Sequence, residues 1–225
     1  EIEYNFLIID GEKFSKNQKI LELNGEAKSL LSLERTALNI AMHLSGVASF
    51  TNKIVEKLKN TDIKLADTRK TTPGLRILEK YAFKCGGGIN HRMGLYDAAM
   101  IKENHIAWSD NLINTVKKLR ENIPFTSHII IEAETIEQAK EAIIAGADSI
   151  LLDEINPDLL RKSIKELRMT SKELYKKNNS KELIIEVSGI NHLEIDKYLI
   201  EGIDFISTSS SVTKSKWIDF SMRYI

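Results

Sequence analysis

A parallel α/β barrel of six or seven strands, carrying a small α+β amino-terminal cap, is the fold class that this 225-residue sequence predicts. Three observations predict it. Short apolar runs alternate with helical patterns from residue 61 onward, the runs are apolar on consecutive positions as in strands covered on both faces, and each ends on a polar residue. In a barrel such strand ends converge on one mouth, whereas an open doubly wound sheet gathers polar residues mainly at one switch point.

From the amino end, Phe6 to Ile9 and Ile20 to Leu23 are short apolar runs beside Asp10-Gly11 and Asn24-Gly25, which reads as strands and hairpin turns. From Ser29 the apolar spacing becomes three and four residues through Leu30, Leu33, Ala37, Ile40, Ala41 and Leu44, predicting a helix. A second helical stretch follows through Val55 and Leu58. Residues 1–60 thus form the cap, joined by the carboxyl-terminal segment 212–225, and 61–211 form the barrel. Strands are predicted at 63–66, 98–101, 129–133, 149–152, 183–187 and 205–207, with helices at 75–83, 112–121, 136–145, 159–175 and 193–200. No internal repeat beyond this alternation is visible, and the low-complexity tract is Ser207 to Ser211.

The totals exclude several classes. Thirty-two basic and 32 acidic residues balance, and a pI near 7.2 gives no support to a general nucleic-acid or acidic-lipid surface. No apolar run has the length to cross a bilayer. A single cysteine, Cys85, allows no intrachain disulfide and no zinc cluster, which suits a reducing compartment, most simply the cytoplasm.

One stretch departs from the overall neutrality. Between Thr61 and His105 stand eight Lys or Arg against five Asp or Glu, beside the Gly-rich turns at Gly74 and Gly86 to Gly88. Basic side chains next to bare backbone N–H groups suit a phosphate or carboxylate. At the predicted strand ends lie Asp67, Lys102, Glu132 with Glu134, Asp153, Ser188 and Ser209. An Asp or Ser there is more often a helix N-cap than a ligand, but Lys102 and Glu132 are poor caps. The mouth is therefore charged in two halves. Arg69, Lys70, His91, Arg92 and Lys102 suit a substrate with several carboxylates or phosphates. Glu132 and Asp153 suit a Mg²⁺-bound diphosphate or sugar hydroxyls. Ser188-Gly189 and the 207–211 tract follow the last two strands, where barrels frequently hold a phosphate. No Ser/His/Asp or Cys/His triad can be assembled.

The motifs Leu33-Glu-Arg-Thr-Ala-Leu-Asn39, Leu44-Ser-Gly-Val-Ala48, Asp67-Thr-Arg-Lys-Thr-Thr-Pro-Gly-Leu-Arg76, Glu79-Lys-Tyr-Ala82, Gly86-Gly-Gly88 with His91-Arg92, Gly94-Leu-Tyr-Asp97 and Met100-Ile-Lys-Glu-Asn-His105 resemble quinolinate phosphoribosyltransferase, a carboxylating nicotinate-nucleotide pyrophosphorylase of NAD biosynthesis. The resemblance implies an enzyme that joins quinolinate to phosphoribosyl diphosphate with Mg²⁺ and releases diphosphate and CO₂. It implies that Arg35, Arg69, His91, Arg92 and Lys102 hold quinolinate and that Thr68 also binds substrate, with Arg35 reaching in from the other subunit of a homodimer that could build further into a hexamer. Lys70, Glu132 and Asp153 would hold phosphoribosyl diphosphate and its metal, the latter through water. Ser188, Gly189, Ile190, Thr208, Ser209 and Ser210 would take the phosphate end, and Lys102, Glu132 and Asp153 would be catalytic.

Departures from the family's usual text are Ile130 for the first Glu of Glu-x-Glu, Glu154 for an Asn, Ile190 for the second Gly of Ser-Gly-Gly, and Ser209-Ser210 for Gly-Ala. The amino-terminal region is also shorter than the pattern, so the cap is expected to lack a strand or more. The alternatives are a related molybdenum-transport paralogue or a non-catalytic paralogue of the same fold.

Overall fold

A computed structural model describes residues 2–108, 111–177 and 182–224. Two short strands, β1 (Ile2–Phe6) and β2 (Leu21–Gly25), pair antiparallel from Ile2 opposite Gly25 to Phe6 opposite Leu21. Asn24-Gly25, read from sequence as a turn, is the end of β2; pairing with Glu3 and Ile2 overrides the local turn signal. The turn at Asp10-Gly11 is present, with Gly11 at φ +91°. One unbroken helix, α1 (Ala27–Leu58), replaces the two stretches expected. It runs through Gly46, where a Cβ would overlap the carbonyl oxygen of Lys216. The carboxyl-terminal segment lies along this helix: the Ile218 N–H donates to Met42 O at 3.1 Å and the Trp217 and His43 rings are 6.0 Å apart.

The remaining strands are β3 (Lys64–Ala66), β4 (Ala98–Ile101), β5 (His128–Ala133), β6 (Ser149–Asp153), β7 (Ile184–Ser188) and β8 (Phe205–Ser207). All pair in parallel, in the order β3-β8-β7-β6-β5-β4. Between them run α2 (Arg76–Cys85), α3 (Glu103–Ala107), α4 (Leu112–Asn122), α5 (Ile136–Ile144) and α6 (Pro157–Lys177), with α7 (Ser210–Thr213) after β8. The expected helix at 193–200 is a 3₁₀ helix, His192–Tyr198. Among the described residues no helix is long and apolar enough to cross a membrane.

Each strand has an inner and an outer face. Ile129, Ile131, Ile150, Leu152, Ile185, Val187 and Ile206, each at most 1 % exposed, form the core under the helices. Their alternate neighbours, including Ile130, Leu151 and Glu186, are buried outside that cluster and so line the interior. Beyond β3, an isolated parallel bridge from Ala66 to Ile89 supplies the start of a seventh strand. The seam from there to β4 is spanned by a side chain: Arg92 Nη1 donates to Ala98 O on the free edge of β4 at 2.8 Å. A cavity of about 330 Å³ opens along this edge, with Arg92, Met100, His105 and Leu119 among its walls.

Contrary to the expectation of no repeat beyond the strand–helix alternation, the floor of the barrel is built by a short one. Gly-x-Asp-x-Ile recurs at 146–150 and 202–206. In each copy the Asp takes a backbone N–H of the preceding strand, Asp148 from Ile129 and Asp204 from Ile185, both at 2.7 Å, and its own N–H returns to the same residue's carbonyl at 2.9 Å. An Arg from the helix before that strand closes each clamp: Arg120 binds Asp148, Gly146 O and Ser127 O, and Arg168 binds Asp204, Gly202 O and Leu183 O. These carboxylates sit at the amino ends of strands, where barrels place stability rather than chemistry.

Candidate functional site at the carboxyl ends of the strands

Asp67, which stands one residue past β3, is taken up in a buried ion pair rather than left open at the mouth. It is 4 % exposed, pairs with Lys80 on α2 and accepts from Asn90 Nδ2 at 2.7 Å and the His91 N–H at 2.8 Å. Lys80 Nζ also reaches His91 O at 2.9 Å. Burial pushes the Asp67 carboxyl above its usual range, and these donors, Lys80 first, pull it back. The result is a clamp on the backbone of residues 90–91. A second buried carboxylate, Glu79, accepts the Thr72 N–H at 2.9 Å and contacts His43 Nε2 at 2.8 Å, so α2 also fixes the 68–75 loop. Arg76 completes that loop through Thr71 Oγ1 at 3.1 Å and Met93 O at 3.4 Å.

Held between these clamps are the basic residues expected from sequence. Arg92 is partly buried; burial lowers its proton affinity, and the nearby Arg69 guanidinium lowers it further. Neither Arg69 nor Arg92 is in an ion pair with a carboxylate among the described residues. Two guanidiniums brought together without a carboxylate form a site for an added anion. His91 is held at both ring nitrogens: Nδ1 accepts the Arg92 N–H at 2.7 Å and Nε2 lies 3.3 Å from Glu186.

The acidic half converges as the strand ends predict. Lys102, the residue after β4, pairs with Glu132 on β5. Glu134 is exposed, and its carboxyl is held above the usual range by a hydrogen bond to Glu103 and then by the charges of Glu132 and Asp153. Those acids therefore share one rim. Asp153 in turn meets the next loop, since a Cβ on Gly189 would stand 2.9 Å from its Oδ1 and overlap Glu154 Cγ. Gly189 has φ +71°, a conformation that glycine adopts freely. Glu154 has φ +54°, where Asn is better tolerated than Glu, and its N–H reaches Ser188 O at 3.2 Å.

Toward the far side, Thr208 N–H donates to Ala66 O at 3.0 Å and Thr208 Oγ1 accepts the Ser210 N–H at 3.0 Å. Thr68, Lys70, Thr208 and Ser209 together wall a cavity of about 10 Å³, so the 68–70 and 208–210 loops are adjacent. Ser209 has φ −88°, and neither Ser210 nor Ile190 is in the left-handed region. The replacements Ser209, Ser210 and Ile190 therefore carry no backbone strain of the glycine kind. Ile130 is 5 % exposed on the inner face of β5. Arg35 is exposed on α1 and makes no hydrogen bond or ion pair among the described residues.

Lys80, Glu79, Asn90, His43 and Glu186 are absent from the site expected from sequence. A charged residue inside the apolar run of β7 was the available signal for Glu186, since such residues are rarely buried without a role. Among the described residues no group of three or more His, Cys, Asp or Glu is arranged to hold a metal ion.

Comparison with known proteins follows the same outline. The model of the quinolinate phosphoribosyl transferase N-terminal domain matches residues 1–45 and that of the C-terminal domain residues 47–223. A probable nicotinate-nucleotide pyrophosphorylase [carboxylating] from Synechocystis is 36% identical over 225 residues, covering 100% of this chain and 73% of its own length. The Bacillus subtilis protein of the same description is 42% identical over 214 residues, 95% of this chain and 70% of its own. The crystal structure of NadC from Streptococcus pyogenes superposes with a TM-score of 0.87 at 36% identity, over 100% of this chain and 76% of that one. With its charged mouth, its strand order and both domain models in agreement, the chain belongs to the quinolinate phosphoribosyl transferase family.

Proposed function

We propose that this chain is a quinolinate phosphoribosyltransferase, converting quinolinate and phosphoribosyl diphosphate to nicotinate mononucleotide, diphosphate and CO₂. The observation that carries the reading is that the part-buried Arg92 has the Arg69 guanidinium near it and that neither is in an ion pair with a carboxylate among the described residues. A planar substrate with two adjacent carboxylates supplies what they lack.

The basic half, with Thr68 and His91, orients quinolinate so that its ring nitrogen faces the ribose. Lys70 and the adjoining Thr208, Ser209 and Ser210 receive phosphate oxygens, aided by Ser188, Gly189 and Ile190 across the mouth. As diphosphate leaves, the ribose C1 becomes positive, and Glu132 or Asp153 stabilises it. Glu132 and Asp153, two carboxylates on neighbouring strands, are the residues that would hold Mg²⁺ together with the substrate's diphosphate. When bound there, Mg²⁺ neutralises the leaving diphosphate. Loss of the 2-carboxylate as CO₂ then leaves an electron pair on ring C2. Lys102, poised on Glu132, orients that carboxylate and delivers the proton to C2.

Arg35 supports a homodimer in which it serves the neighbouring mouth, and the exposed cap residues Tyr4, Phe6, Ile9, Leu31 and Leu33, each 57% exposed or more, offer an apolar surface for it. The unpaired Cys85 supports residence in a reducing compartment such as the cytoplasm.

The test is turnover of purified protein with quinolinate, phosphoribosyl diphosphate and Mg²⁺, with nicotinate in a parallel reaction. Nicotinate mononucleotide and CO₂ from quinolinate alone are expected. No product from either acid, with folded and dimeric protein, overturns the reading in favour of a non-catalytic paralogue.

A further inference from the structure

Glu186 is a carboxylate in a place where nothing structural needs one. It lies midway along β7, its side chain 6% exposed, between Ile185 and Val187 that pack outward into the core. Its register partner Leu151 is apolar, as is the buried Ile130 on the same inner face. Taking a carboxylate out of water is costly unless opposite charge and hydrogen bonds compensate it. Asp67 shows what a structural buried carboxylate looks like in this protein: Lys80, Asn90 and the His91 N–H satisfy it. Glu186 has no such set. Its Oε1 is buried without a hydrogen-bond partner, and the one Lys, Arg or His nitrogen within 4.0 Å of it among the described residues is His91 Nε2, 3.3 Å from Oε2.

That neighbour is already fixed everywhere else. The His91 backbone is held by Asp67 and Lys80, and its Nδ1 is an acceptor for the Arg92 N–H. With Nδ1 accepting, the proton of a neutral ring sits on Nε2, the nitrogen that faces Glu186.

We infer that Glu186 is a positioning residue for His91: from inside the barrel it holds the imidazole in the Nε2–H form and sets the angle at which the ring borders the Arg69–Arg92 anion site. The inference rests on the proposed reading for its kinetic consequence, but not for the state of the ring. A positioning role also explains why an acid is kept where Leu would pack, since it spends stability on the orientation of a ligand-facing ring.

The experiment compares Glu186→Leu with Glu186→Gln, which keeps an acceptor oxygen. In ligand-free protein with ¹⁵N-labelled histidine, His91 should show one tautomer in the wild type, lose it in Glu186→Leu and recover it at least in part in Glu186→Gln. In steady-state kinetics, Glu186→Leu should lower kcat/KM for quinolinate roughly tenfold or more, with KM for phosphoribosyl diphosphate unmoved and Glu186→Gln in between. Its melting temperature should be unchanged or higher. An unaltered His91 ring signal in both variants, or equal loss toward both substrates together with a lower melting temperature, overturns the proposal. If the wild type proves inactive the proposed function fails, and the ring signal alone decides this inference; if Glu186→Leu does not fold, the glutamine variant's ring signal decides it.

Discussion

Lys80 and Asp67 form an ion pair that is almost completely withdrawn from water, their side chains 1% and 6% exposed, and both also hold the backbone of His91. The pair therefore ties α2, the end of β3 and the segment carrying Arg92 into one unit. Removing one member leaves the other charge buried and uncompensated. Lys80→Met should cost about 3–5 kcal/mol in urea denaturation. Adding Asp67→Asn, which retains an acceptor, should recover a large part of it.

The ion pair between Lys102 and Glu132 joins the two halves of the mouth. Lys102→Ala should weaken quinolinate binding, measured by calorimetry, far less than it lowers turnover, which falls by about 10²–10⁴-fold, the range of a lost proton-transfer group. Full activity in this variant would remove Lys102 from the chemistry.

Glu154 is a non-glycine residue in the left-handed region, at φ +54°, on the rim beside Asp153. Replacing it with Gly releases that conformation and should stabilise the protein by about 1 kcal/mol, seen as a higher melting temperature. Asn should give part of the gain.

Gly189 is the counterpart on the neighbouring loop. In Gly189→Ala the new methyl meets Asp153 Oδ1 and the Glu154 backbone nitrogen, both at 2.9 Å, in a conformation unfavourable to alanine. Displacement of Asp153 should raise KM for phosphoribosyl diphosphate by roughly tenfold, with little change in KM for quinolinate.

Gly46 tests a contact far from the chemistry. A Cβ there overlaps the Lys216 carbonyl, so Gly46→Ala should detach the segment around Trp217 from α1. Faster proteolysis after residue 213 and exposure of the Trp217 fluorescence are the expected signs.

The six parallel strands could be read from sequence within a residue or two because each is a continuous apolar run bounded by polar residues. What escaped reading depended on contacts between distant segments. Asp67 reads as an open mouth residue from its place after a strand, and only Lys80, on the next helix, shows that its charge is already taken up in a buried ion pair. The helix reads as two stretches, and nothing near Gly46 in the sequence shows that the chain returns at Lys216 to occupy the missing side chain's place. The short helices α3 and α7 are too brief to impose an apolar period. Of the expected site, Arg69 stands near Arg92, Lys102 pairs with Glu132, and Glu132 and Asp153 lie near Glu134. Glu186 was missed because its meaning lies in which strand face it occupies.

The unbroken course of α1 turns the placement of Arg35 into a question of phase. A rigid helix advances about 1.5 Å and turns about 100° per residue, so Arg35 is displaced by roughly 18 Å from Val47, the first fully core-packed apolar residue of the helix. Inserting one residue between them would swing Arg35 through more than a quarter turn while moving it hardly at all. Inserting seven would restore its bearing to within about 20° but push it outward by about 10 Å. Rotation and reach can thus be varied separately along one rod, and complementation between subunits would report which of the two the neighbouring mouth demands.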